Sequence, residues 1–287
     1  MRKVGRCIAA LVLVVFGAAG CAPRAKMFSG VLAYEHVEEQ CAFGPRLVGS
    51  EASRQASDYI ASQLESEGWS VIFEDLTYRG LPVRNVVGRR GRGPLVILGA
   101  HYDTRARADR DPVDPTQPVL GANDGASGVA VLLELARALE VGEGDREVWL
   151  AFFDAEDQGG IDGWPFSVGA GYMAENLVAQ PEVVVVVDMV GDVDQGIFWE
   201  GNSDPGLLQV LWTIAQDLGY AEFFIPRLKY TLIDDHVPFR LQGWTAIDII
   251  DFDYRYWHTT GDTPDKVSAA SLERVGRVLE EWLERGK

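Results

Sequence analysis

Imidazoles and carboxylates in this chain fall directly after short apolar runs, an arrangement able to hold a cation and move a proton. His101 and Asp103 follow residues 95–98, and Asp154, Glu156 and Asp157 follow residues 148–153. Asp188 and Asp192 come after the valines of 183–187; Asp251, Asp253 and then Trp257-His258 come after 246–250. Asp124 lies in a loop of small residues between Gly121 and Gly128. Oxygen and imidazole donors without thiolates suit a catalytic zinc that keeps one coordination position open. A carboxyl beside such a site suits general acid–base work. Taken singly, each residue has a plainer use: an Asp after a strand caps a helix or forms a turn, and His258 alone suits a surface. Capping explains the joint pattern poorly, because that much negative charge in one place is costly unless a cation offsets it.

The runs that precede these residues are the elements that must position them. Residues 95–98, 148–153, 183–187 and 246–250 are continuous apolar stretches of the kind buried on both faces of a sheet. Residues 71–76 and 83–87 form a further pair of strands, and helices are predicted over 51–68, 129–139, 169–177, 207–218 and 272–283. Strands alternating with helices give an α/β fold, a mostly parallel sheet covered on both sides. In such a sheet the carboxyl ends of the parallel strands share one edge, where ligands bind. Asp248 stands inside a strand where a hydrophobe is expected, and so implies a satisfied polar network behind the site. Residues 28–287 contain no repeat or linker and read as one domain.

The 287 residues carry 26 basic and 43 acidic side chains, a net charge of −17. A surface this acidic repels phosphate backbones, which argues against nucleic-acid partners. Arg2, Lys3 and Arg6 precede an apolar run and then Ala18-Ala19-Gly20-Cys21. This is a secretory signal over residues 1–20, too short for a membrane span. Its end resembles a bacterial lipobox, which makes Cys21 the lipidation site and residues 21–27 a tether. The protein is then exported and lipid-anchored to a bacterial membrane. With Cys7 in the signal and Cys21 lipidated, Cys41 alone is left in the folded part, so neither an internal disulfide nor a thiolate metal site can form.

The order of these motifs resembles the zinc-dependent M28 metallopeptidase superfamily, and more closely its glutaminyl cyclase branch. The resemblance rests on the segment Phe43 to Ser50, His101-Tyr102-Asp103, the Asp124 loop, Asp154-Ala155-Glu156-Asp157 and Trp257-His258. It implies a single α/β domain with a mixed, mostly parallel sheet, acting on peptide N-termini and expected to be a monomer. Three features resemble the cyclases, which convert an N-terminal Gln to pyroglutamate and release ammonia. They are the Glu156-Asp157 pair, the Asp234-Asp235-His236 segment, and Trp257 directly before His258. By resemblance Asp124, Asp157 and His258 hold one zinc ion and Glu156 carries the proton. Asp188 and Asp234 complete an acidic network, and Trp257 and Trp164 wall the substrate slot. The alternative is an aminopeptidase with two zinc ions, for which His101, Asp124 and Asp188 supply the second position. Otherwise His101 and Asp103 stand behind the first ion as orienting groups. A non-catalytic surface lipoprotein is a third reading, and the presence of Glu156 argues against it.

Overall fold

The structure, a computed structural model, describes residues 26–141 and 146–285. The leader expected over residues 1–20, and Cys21, lie outside the described residues. Among them, the helices are α1 (Gly30–Ala42), α2 (Glu51–Ser66), α3 (Ala126–Ala138), α4 (Val168–Asn176), α5 (Pro205–Asp217), α6 (His236–Leu241) and α7 (Ala269–Glu284). The strands are β1 (Ser70–Tyr78), β2 (Leu81–Gly91), β3 (Leu95–His101), β4 (Glu147–Phe153), β5 (Val183–Asp188), β6 (Ile197–Glu200), β7 (Phe224–Tyr230) and β8 (Ala246–Ile250). No helix of the described residues is long and apolar enough to cross a membrane.

A six-stranded sheet runs β1-β2-β4-β3-β5-β8. The β1–β2 hairpin turns on Arg79-Gly80, both at positive φ, the backbone that a tight two-residue hairpin needs. β2 pairs antiparallel with β4, while β4, β3, β5 and β8 are mutually parallel. The sheet is therefore mixed, with its parallel part lying where the apolar runs of the sequence fall. Alternate residues of these strands serve opposite cores. Leu98, Leu150, Val185 and Ile247 face the layer of α1, α2, α3, α5 and α7; Ile97, Trp149, Val184 and Ala246 face α4 and α6. β6 and β7 form a separate parallel pair beside β8.

Four elements were not anticipated: α1, α6, β6 and β7. The buried positions of α1 are Gly30, Ala33, Val37 and Gln40, a face of small residues and one amide that carries little apolar signal. β7 reads Phe-Ile-Pro-Arg-Leu-Lys-Tyr and is mostly exposed.

The chain reaches α3 directly from the loop that carries Asp124, so the seating of this helix sets where that carboxylate points. Gly128 makes the seating possible, since a β-carbon there would lie 2.1 Å from the Val187 carbonyl oxygen of β5. Gly128→Ala is expected to destabilise the protein by about 1–3 kcal/mol, the usual cost of overpacking. Urea denaturation measures it.

Candidate active site

The carboxyl edge of the parallel strands gathers the residues singled out by type and spacing, but only some of them converge. Asp154 accepts from the N–H groups of Arg84 and Ala155, and Asp192 from that of Asp194. Asp251 accepts from the N–H groups of Gly196 and Asp253, and the Asp253 carboxylate pairs with Lys229 and Tyr230 at the surface. These four serve turns and local ties. Asp124, Glu156, Asp157, Asp188, Asp234, Trp257 and His258 instead line one cavity of about 260 Å³, together with Phe166, Leu232, Ile233, Ile250 and Phe252.

Two donor groups meet at this cavity through Asp124, which belongs to both. In the first, Asp124, Asp157 and His258 offer ligand atoms within 4.8 Å of one another. His258 Nε2 is 3.2 Å from Asp157 Oδ1 and 3.9 Å from Asp124 Oδ2. In the second, His101 Nε2 is 3.1 Å from Asp188 Oδ1 and 3.3 Å from Asp124 Oδ1. Oδ2 of Asp124 and Oδ2 of Asp157 are buried and accept no hydrogen bond. Buried anionic oxygens without donors call for a cation, and this oxygen and imidazole set fits a divalent metal of the zinc type.

Backbone strain marks the same places. Ala155, Met189 and His258 have φ of 62°, 45° and 57°, left-handed values that cost non-glycine residues of order 1–3 kcal/mol each. Each lies at a site residue or beside one, so the strain re-aims the side chains of Glu156, Asp188 and His258. Asp103 holds the first of these turns. Its two oxygens accept the N–H groups of Glu156 and Asp157 at 3.0 and 3.1 Å, and its Oδ1 lies 3.5 Å from His101 Nδ1. It thus anchors the Glu156-Asp157 turn more closely than it orients His101.

Other supports were not singled out from sequence. Asp262 accepts from the N–H groups of Asn123 and Asp124 and from the Tyr254 hydroxyl, fixing the Asp124 loop. Arg46, fully buried, donates to the carbonyls of Tyr102, Leu120 and Gly121. That gives a physical role to the early Phe43 to Ser50 segment. Arg105 donates through Nη1 to Asp157 and through Nε and Nη2 to Asp109. Asp109 Oδ1 lies 3.5 Å from His258 Nδ1, on the ring edge away from the donor group. These residues sit in polar loops, where Asp and Arg carry no distinguishing signal.

Trp164 and Asp248 depart from expectation. Trp164 packs at a tilt against Tyr78 with ring centroids 5.0 Å apart and lies with Leu76 and Val168, outside the cavity lining. Phe166, two residues on, takes the wall position. Trp257 does line the cavity, its ring tilted against Phe252 at 4.7 Å and against the His258 ring at 3.9 Å between centroids. Asp248 is fully buried, yet neither carboxylate oxygen has a hydrogen-bond partner. It stands with Asp234 and His236 in a third donor group behind the cavity. His236 Nε2 lies 3.0 Å from Glu200. Burial alone would raise the Glu200 carboxyl, but His236 and the N–H groups of Asn202 and Leu232 outweigh it and bring it to about 2.

The crowding shifts the titration of the whole edge. Burial, with the Asp234 charge next, drives Glu156 well above the carboxylate range. Burial and the Asp188 charge push Asp234 up to about 7. Burial and the Asp124 charge push Asp157 to about 6 and Asp262 to about 7. Asp124 goes the other way: burial opposes its ionisation, but the His101 hydrogen bond and the charges of His101 and His258 hold it low.

Two outcomes follow for the metal centre. Asp109→Asn weakens the acceptor behind His258 and is expected to reduce zinc affinity about 10–100-fold, as loss of an orienting carboxylate commonly does. Competition with a fluorescent chelator measures it. In metal-free protein, Asp157, Asp234 and Asp262 keep their protons to about 6–7 when folded, but only to about 3.8 when unfolded. Their contribution to stability is complete below the unfolded value and lost as pH rises through the folded ones. Chelator-treated protein should therefore melt at a lower temperature at pH 8 than at pH 6, and added zinc should restore the loss at pH 8. Calorimetry showing equal melting temperatures at both pH values would contradict this.

Residues 85–283 match peptidase family M28. A glutaminyl cyclase of Porphyromonas gingivalis is 31% identical, superposes with a TM-score of 0.84 and covers 91% of this chain and 99% of its own. A leucine aminopeptidase precursor of Bacteroides thetaiotaomicron VPI-5482 is 30% identical with a TM-score of 0.84, covering 92% of this chain and 99% of its own. The aminopeptidase YwaD of Bacillus subtilis (strain 168) is 27% identical over 201 residues, 64% of this chain but 39% of that protein. Family, fold and donor set agree on an enzyme of a zinc-dependent superfamily with glutaminyl cyclases and exopeptidases among its structural neighbours: the chain belongs to peptidase family M28.

Proposed function

We propose that this chain is a glutaminyl-peptide cyclotransferase, closing an N-terminal Gln of a peptide to pyroglutamate with loss of ammonia. The observation that carries this reading is the buried Glu156–Asp234 carboxyl pair in a small, aromatic-walled cavity beside the Asp124, Asp157 and His258 donors. Buried carboxyls that act on each other's charge share protons, and Asp234 is pushed up to about 7. Asp124, Asp157 and His258 would hold zinc. Once bound, the ion supplies Lewis acidity, polarising the side-chain amide carbonyl and stabilising negative charge on its oxygen.

The remaining work falls to the protein's own groups. Ionised beside the bound cation's charge, Glu156 accepts a proton from the α-amine as the nitrogen attacks the side-chain carbonyl carbon. It returns that proton to the departing amide nitrogen, which leaves as ammonia. Asp234, whose charge acts on Glu156, keeps its proton in play, and Asp188 lines the same cavity. Because the attack is intramolecular, most of the gain comes from fixing a folded-back rotamer. Phe166, Phe252 and Trp257 are the walls suited to do so, and they keep water from the polarised carbonyl.

One specific observation favours a second reading. His101 and Asp188 converge with Asp124 within 4.8 Å, a donor set a second ion could use, as an aminopeptidase requires. Export and a lipid anchor at Cys21 belong to the proposal as well, since the enzyme would then meet secreted peptides.

Offering the purified chain a Gln-initiated peptide and a Leu-initiated fluorogenic amide separates the two activities. Ammonia and pyroglutamate from the first substrate alone are expected. Fluorophore release from the second, without cyclisation of the first, would replace the cyclase reading with the peptidase one. Glu156→Gln should lower kcat for the active substrate by about 10²–10⁴-fold while zinc content holds, the usual worth of a positioned acid–base group.

A further inference from the structure

Beside the catalytic cavity lies an apolar groove of about 380 Å³. β1 contributes Leu76 and Tyr78, the start of α4 contributes Val168 and Tyr172, and α6 contributes Pro238 and Leu241. Both banks continue walls of the cavity. Phe166 lines cavity and groove alike, and from it the chain runs straight into α4. On the opposite bank, the rim residues Leu232, Ile233 and Asp234 lead directly into α6.

Exposure on this bank is unusual. Leu241 is 82% and Ile233 69% exposed, two large aliphatic side chains of one short segment left in water on either side of the first turn of α6. Contiguous exposed apolar surface beside a cavity is characteristic of ligand-binding grooves. Among the residues described as lining the groove, Glu175 is the only charged side chain.

We infer that the groove binds the residues that follow the N-terminal one in the substrate, and that it selects peptides with apolar side chains there. This rests on the reading that the cavity takes a peptide N-terminus, and it holds for either chemistry at that terminus. The groove begins at Phe166, which also lines the cavity, so with the first residue in the cavity the residues that follow it pass Phe166 and then Tyr172 and Leu241. A cavity that closes around one residue gives no discrimination further along the peptide, whereas an apolar groove beside it does.

The test compares Gln-Phe-Leu-amide with Gln-Ala-Ala-amide on the full chain and on Leu241→Asp, with folding of the variant checked by its thermal melt. Wild-type kcat/KM should favour the Phe-Leu peptide roughly tenfold, a fraction of what full burial of two such side chains provides. Leu241→Asp should bring the ratio close to one. Calorimetric binding of both peptides to Glu156→Gln protein, with and without Leu241→Asp, should show the same ratios in Kd. If neither peptide yields ammonia, the cyclase reading fails while the binding ratio still tests the groove. Equal Kd values for both peptides, or a ratio unmoved by Leu241→Asp, would overturn the groove. So would conversion of a dimer to a monomer by that substitution, which would make the surface a contact between copies of the chain.

Discussion

Unpaired carboxylate charge, buried where the parallel strands end, is the constraint that the rest of this molecule answers. Asp124 and Asp157 each turn an oxygen without a hydrogen-bond donor toward the same space, and Asp188, Glu156 and Asp234 stand around it. Left alone, such a group must take up protons or come apart. The fold offers partial remedies from its own residues. His101 and His258 lie between the acids, Arg105 reaches Asp157, and backbone N–H groups converge on Asp103 and Asp262. The negative charge they leave uncompensated is what a divalent cation would offset, so metal affinity and acid–base character arise from one arrangement.

That arrangement explains why much of the fold could be read from sequence. β3, β4, β5 and β8 are buried on both faces, so they must be continuous apolar runs, and such runs stand out. The acids at their ends are visible because they break those runs abruptly. Elements that bury little or bury polar groups were invisible for the same reason: β7 is exposed along most of its length, and α1 packs through Gly30, Ala33 and Gln40.

Within the site, the line between what the sequence discloses and what it hides is physical too. Glu156, Asp157, Asp188 and His258 come at or after strand ends, so sheet topology brings them to one edge. Asp109, Asp262 and Arg105 act from loops whose course no periodicity describes, and an Asp in a polar loop looks like any turn residue. Trp164 shows the limit from the other side. An aromatic a few residues past a strand-end acid suggests a wall, but the loop turns Trp164 onto Tyr78 and presents Phe166 to the cavity.

Arg105 carries a consequence of its own. One guanidinium grips Asp157 with one arm and, with the others, Asp109, which backs His258. Donors more than a hundred residues apart in the chain are thereby yoked through a single planar group, and neither can drift without dragging the other. Lysine, a point charge without a fork, could not fix the two carboxylates in this planar geometry. The spacing of the pincer is accordingly inherited from the shape of one side chain, and not negotiated separately by each ligand.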